Sequence, residues 1–394
     1  MNMLWITPDV PFDKMYGGNI DISTRIQVVA EAGINVHLVC FSKGSVSNEG
    51  LEKLEKYCSS VNIIKRPKKY QYMLHPSCPY SVLTRYANNL SGIIGSILKH
   101  SNIDIACLEQ PQVGEVIPFL KEANIPIVLR LHNIESFYFK ELAKDYNNPL
   151  TKIIYCWESY KLAKYEKYVY SNCQAIFCVS LEEANKLKQL YPELYITWLP
   201  VPVKLNVPDI KVNGAKPIIA FSGSMYLPNN IRAVTWFAHE VFPKVLEAVP
   251  DAEFWIIGWK PAKSVQKLGY IKNIRVTGEV SNVHQLLLDA SVVIAPLFHG
   301  AGVKVKVLEA IGLGKLVIAS HSAIEGTGLI NGRHVLVSDQ PDMFAKWCVE
   351  ALQDPNAFVE IRQEALRYFK EYHQPEVVGG RFLKELTNVL DCER

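Results

Sequence analysis

The sequence predicts an α/β protein: two doubly wound domains with parallel sheets, facing each other across a cleft. Three observations lead there. Short apolar runs alternate with amphipathic stretches along the whole chain, as parallel sheets covered on both faces require. At 394 residues the chain exceeds what one core usually serves. Residues 198–217, WLPVPVKLNVPDIKVNGAKP, interrupt the alternation with four prolines and a glycine, after which it restarts.

The early strands are expected at Met3–Thr7, Val36–Phe41, Val61–Ile64, Ile103–Leu108, Ile127–Leu131 and Ala175–Ser180. A helix is expected over Ile20–Ala32, where Ile22, Ile26, Val29 and Ala30 share a face and Gly33 stops it. After the linker the strands are expected at Ile218–Ser222, Glu253–Ile257, Ile274–Thr277, Val292–Pro296, Leu316–Ser320 and His334–Val337. Helices are expected at Met343–Leu352 and Asn356–Tyr372, then a break at Gly379–Gly380. The domains are therefore residues 1–205 and 206–375, with 376–394 a C-terminal helix packing back on the first.

Composition excludes several classes. The chain is 49% apolar with a net charge of +3, which does not call for nucleic acid. No apolar run approaches the ~20 residues that span a bilayer. The start, MNMLWITPDVPFDK, lacks the basic segment and apolar core of a secretory signal. The nine cysteines contain no C-x-x-C pair and are expected to be reduced thiols in a cytoplasmic protein.

The most informative stretch is 295–325, in which a short strand, a glycine turn (Gly300, Gly302), a helix carrying Glu309 and a second strand follow one another. Glycines allow close approach to the backbone, and a helix start offers free N–H groups and a positive dipole end to an anion. A carboxylate deeper in the helix can accept hydrogen bonds from ribose hydroxyls. This combination suggests a nucleoside diphosphate site.

The order and spacing of several motifs resemble those of the GT-B fold glycosyltransferases, specifically glycosyltransferase family 4 (the group 1 transferases). They are GGNIDISTRIQVVAEAGINVHLV, LRLHNIES, FSGSMYLPNN, WIIGW, VTGEV and LEAIGLGKLVIAS, and the likeness spans nearly the whole chain. It implies a GT-B architecture of two Rossmann-like domains. It implies retaining transfer of a sugar from a UDP- or GDP-type nucleotide sugar donor to a glycan or lipid-linked acceptor, in cell-surface polysaccharide or glycoconjugate synthesis. No cofactor and no metal is expected. No D-x-D motif stands out, and Asp251-Ala252-Glu253 reads as a turn. A nucleotide-sugar epimerase and a non-catalytic transferase-like scaffold are the alternatives.

By this resemblance Glu309 is the second glutamate of the family's E-x7-E signature and accepts from donor ribose hydroxyls. An ion pair with Lys306 is the plain structural alternative. The first glutamate would fall at Ala301, so backbone N–H groups from Gly300, Ala301, Gly302 and Val303 are expected to hold phosphate or sugar. The diphosphate-clamping Arg and Lys of relatives fall at Ser224 and Asn229, in the stretch SGSMYLPNN, whose Gly223 is expected to bind the donor. Lys306, then Lys304 and Arg130, are the candidate replacements. Gly17 and Gly18 are expected in a loop over the donor phosphates, and the backbone at Val280 against the base. His132 matches the histidine that meets the donor sugar; strict alternation puts Arg130 on the opposite side of the strand from His132's immediate neighbours, and Arg130 ranks lower. His132 and Glu309 are the catalytic candidates. The basic run Lys65–Lys69 is expected to touch an anionic membrane at the inner face, or else to be a solvated loop.

Overall fold

The computed structural model describes residues 1–13, 17–67, 70–87, 89–145, 148–205, 217–298 and 302–392. The chain divides into two compact units, Met1–Pro202 with Pro375–Arg394, and Val203–Gln374. The first boundary thus falls between Pro202 and Val203 rather than at 205/206, because Leu199, Val201 and Val203 are buried instead of forming a free linker. The second falls between Gln374 and Pro375. The rest of the expected linker, residues 206–216, lies outside the described residues.

The first unit holds β1 (Asn2–Thr7), β2 (Asn35–Ser42), β3 (Ser60–Lys65), β4 (Ile105–Glu109), β5 (Ile127–Leu131), β6 (Ala175–Cys178) and β7 (Tyr195–Trp198). They form one parallel sheet in the order β3-β2-β1-β4-β5-β6-β7. Every residue of β4, β5 and β6 is buried, as strands covered on both faces must be. The order reverses between β1 and β4, and in such sheets ligands collect beyond the carboxyl ends of strands at that switch.

The Gly17–Glu31 helix packs Ile22, Ile26 and Val29 on this sheet, and Gly33, at φ 81°, supplies the left-handed residue that ends it. The expected break at Gly379–Gly380 is absent: one helix runs from Pro375 to Cys392. The reason is steric. A β-carbon on Gly379 would stand 2.1 Å from Val28 Cγ1, so glycine here lets two helices approach rather than ending one. Phe382, on the same helix, packs against Trp5 and Phe177 with ring centroids 5.6 and 5.9 Å away.

The second unit holds β8 (Ile218–Ser222), β9 (Glu253–Ile257), β10 (Ile274–Gly278), β11 (Val292–Ala295), β12 (Leu316–Ala319) and β13 (Leu336–Val337), in the order β10-β9-β8-β11-β12-β13, again parallel. Its switch lies between β8 and β11. The last strand is shorter than expected because His334 Nδ1 accepts from Ile330 N (3.1 Å) and holds a turn. Asp251 lies in a turn closed by Ala252 N donating to Val249 O at 3.0 Å, as expected, and Glu253 opens β9 and accepts from the Trp255 indole at 2.7 Å. Among the described residues no helix is long and apolar enough to cross a membrane, and no group of three or more His, Cys, Asp or Glu could hold a metal. The nine cysteines are free.

Candidate functional site

In the second unit the site is built at the carboxyl end of β8. A glycine turn with Gly302 at φ 77° leads through Val303 and Lys304 into the Val305–Gly312 helix, which carries Lys306 and Glu309 one turn apart. Gly300 and Ala301 lie outside the described residues. Lys304 folds back, its ammonium donating to Gly302 O at 2.5 Å.

Lys306 does not pair with Glu309. Its ammonium donates to Asn230 Oδ1 at 2.8 Å and lies 4.2 Å from the centroid of the Phe221 ring. A β-carbon on Gly223 would meet it at 2.6 Å, so glycine is what admits the ammonium to this place. Desolvation is the main reason its pKa is pushed down to about 7, with Glu309 opposing and Lys304 adding to the drop. Asn230 was not singled out in the sequence, yet it orients this cation and also donates to Ser224 O at 3.0 Å. Ser224 and Asn229 supply no charge.

Gly258 follows β9, and a β-carbon there would stand 1.8 Å from Gly223 O: the two loops touch through bare backbone. Met225 N donates to Trp259 O (2.8 Å) and Ala262 N to Met225 O (3.1 Å), tying them further. The Glu309 carboxylate is partly exposed and has His284 Nε2 at 3.9 Å. Val280 is half-buried just past β10, and Gly278 before it has φ 69°.

In the first unit the expected loop around Gly17 and Gly18 is helix: Gly17 is the first helical residue, and residues 14–16 before it lie outside the described residues. One turn on, the helix carries Asp21, then Arg25. Both join a buried charged cluster at the carboxyl ends of β4 and β5. Arg25 Nε binds Asp21 Oδ1 at 2.9 Å, Arg130 Nη2 binds Asp21 Oδ2 at 2.6 Å and Arg130 Nη1 binds Glu109 Oε1 at 2.8 Å. Trp5 Nε1 donates to Glu109 Oε1 at 3.0 Å, and His132 Nε2 lies 2.8 Å from Glu109 Oε2 and 3.6 Å from Asp21 Oδ2. Arg25 also donates to the carbonyls of Leu199 and Pro200.

Burial is the largest single influence and would raise the Asp21 and Glu109 carboxyls, but Arg130 with Arg25 and His132 at Asp21, and Arg130 with His132 at Glu109, together outweigh it; both stay below the usual carboxylate range. Arg130 is fully buried between two carboxylates, which removes it as a diphosphate clamp. It also shares Glu109 with His132, as alternation along the strand requires of residues two apart. Glu109 and Asp21 were not foreseen: 23 and 111 residues separate them from His132.

The Glu135–Asp145 helix that follows has its start held from elsewhere. Glu183 Oε1 accepts from Ile134 N (3.0 Å) and Glu166 Oε1 from Ser136 N (3.1 Å). Burial pushes Glu166 and Glu183 up to about 7, despite these hydrogen bonds.

Residues 216–354, most of the second unit, match the family model "Glycosyl transferases group 1". Beside this partial match, the fold of the two parallel sheets is that seen in GT-B glycosyltransferases. Over 395 residues the chain is 24% identical to a 44.6 kDa uncharacterised protein of the cps region of Klebsiella pneumoniae, covering 96% of this chain and 98% of that one. Among solved structures it resembles Anabaena HepE in complex with UDP (TM-score 0.66, 12% identity, 98% of this chain and 100% of that one). It also resembles a sucrose-phosphate synthase from Thermosynechococcus elongatus (TM-score 0.67, 13% identity, 99% of each chain). HepE has been crystallised with UDP-glucose as well.

Proposed function

We propose that the protein transfers a sugar from a UDP- or GDP-type nucleotide sugar to a glycan or lipid-linked acceptor, with the anomeric configuration retained and no metal required. The observation that carries this reading is the Lys306 ammonium, seated against Gly223 by Asn230 one turn before Glu309. A leaving diphosphate gathers negative charge, and a pre-placed cation with backbone N–H groups behind the glycine turn answers that charge. Glu309 then takes the ribose hydroxyls and the Val280 backbone the base. Gly17 and Gly18 reach the donor phosphates, and His132 meets the sugar.

In the reaction the bond from the anomeric carbon to the phosphate oxygen breaks. The acceptor oxygen attacks from the same face, and the acceptor proton passes to the leaving phosphate. The cps-region relative supports a role in surface polysaccharide synthesis. The acceptor side would sit at the inner face of a membrane, with Lys65–Lys69 toward anionic lipid; Lys68 and Lys69 lie outside the described residues.

Calorimetry with UDP and GDP on the protein and on Glu309→Ala tests the site. Loss of hydrogen bonds to a charged group should weaken binding by roughly ten- to a hundredfold; unchanged affinity removes Glu309 from the site. A donor panel with and without acceptor completes the test. Sugar interconversion without acceptor would mean an epimerase, and no nucleotide binding at all a scaffold.

A further inference from the structure

We propose that Glu109 is a positioning residue: its buried carboxylate holds His132 in the Nε2–H form, leaving Nδ1 as a lone-pair acceptor for a sugar hydroxyl. What that lone pair meets rests on the transferase reading above; the proton's location does not.

The argument is one of donors and acceptors. Glu109 Oε1 receives Trp5 Nε1 at 3.0 Å and Arg130 Nη1 at 2.8 Å, and both of those groups can only donate. Oε2 faces His132 Nε2 at 2.8 Å. An ionised carboxylate can only accept, and the Arg130 guanidinium, with the hydrogen bond to His132, keeps Glu109 ionised despite its complete burial. The proton of that hydrogen bond therefore sits on Nε2. In a neutral imidazole the other nitrogen must then be an acceptor. Among the described residues Nδ1 has no hydrogen-bond partner, and the His132 side chain keeps 12% of its surface open, so the lone pair is not spent inside the fold.

Glu109 is itself held. Arg130 bridges it to Asp21, and Arg25 anchors Asp21 to the carbonyls of Leu199 and Pro200. The imidazole thus stands on a chain of charge-assisted bonds, and its ring plane and tautomer follow from residues that touch no substrate.

Glu109→Gln makes a sharp prediction. The amide oxygen must stay with the two donors, Trp5 and Arg130, which turns the amide NH2 toward His132. Nε2 then has to accept, and the proton moves to Nδ1, as happens when the carboxylate beside a catalytic histidine becomes an amide. The lone pair offered to the sugar is lost, and transfer should fall about ten- to a hundredfold.

The decisive measurement is the 15N imidazole spectrum of the wild-type protein at mildly alkaline pH, with the His132 signal assigned by its loss in His132→Gln. A protonated Nε2 and a bare Nδ1 are expected; the reverse, or two protonated nitrogens, overturns the proposal, even if Glu109→Gln does not fold. In a folded Glu109→Gln the pattern should reverse and transfer should drop; an unreversed pattern, or reversal with unchanged transfer, also overturns it. Should no donor be turned over, the transferase reading fails while the spectrum still decides where the proton lies.

Discussion

Lys306 and Asn230, 76 residues apart in the chain, share a 2.8 Å hydrogen bond that places the ammonium against the α-carbon of Gly223. Lysine is costly to desolvate, and here that cost has brought its pKa down to about 7, so near neutral pH the empty site holds a mixture of ammonium and amine.

A bound diphosphate favours the ammonium, and binding should therefore take up a proton as the pH rises past 7. Affinity should decline with pH above that point, approaching tenfold per unit. Calorimetry in buffers of differing ionisation enthalpy reads the uptake directly. Lys306→Met should weaken nucleotide binding and abolish the uptake; an uptake that survives the substitution would place the titrating group elsewhere.

The contact between Gly379 and Val28 predicts a double-mutant result. Gly379→Ala puts a β-carbon into Val28 and should cost about 1–3 kcal/mol of stability, as overpacking does. Adding Val28→Ala should return a large part of that loss. Thermal or urea unfolding of the two single variants and the pair gives the coupling; strict additivity would contradict the contact.

Asp21 and Glu109 make the first unit acid-sensitive. Their folded pKa values lie below the unfolded ones of 3.8 and 4.5, so their contribution is present above those values and lost as the pH falls below about 4. Asp21→Asn leaves Arg25 and Arg130 short of a buried counter-charge and should cost about 3–5 kcal/mol. Urea titrations at about pH 7 and about pH 3 should show the difference between variant and wild type narrowing at the lower pH.

Glu166 works in the opposite sense. Its folded pKa, raised by burial to about 7, exceeds the unfolded 4.5, so the folded state keeps a proton that the unfolded chain has released. Stability should fall as the pH rises from 4.5 to 7. Glu166→Gln should flatten this part of the profile by on the order of 1–3 kcal/mol. A slope unaltered in the variant would show that Ser136 does not hold a titrating partner.

Much of the fold was legible because its strands are short, mostly apolar and separated by periodic helices. Ile127–Leu131, Ile218–Ser222 and Glu253–Ile257 fall where the sequence puts them. The edge strand Tyr195–Trp198 was not, since four residues beside a proline-rich stretch carry no periodicity of their own. Gly379–Gly380 misled for a different reason: a glycine that breaks a helix and one that lets a helix pack closely look alike in a linear string. In the site, the turn before Glu309 could be read locally, as could His132 at a strand end. Asn230, Glu109 and Asp21 could not, because their meaning comes from partners that the sheet order brings together.

Phe382 lies over Trp5 and near both buried guanidiniums, 5.7 Å from Arg25 and 6.0 Å from Arg130, yet the whole of Val203–Gln374 intervenes in the sequence between it and the strands that it covers. During synthesis, then, the charged centre of the first unit lacks its roof until residues beyond Gln374 have been made. A chain cut short of residue 375 would lack Phe382 and leave both guanidiniums without that ring.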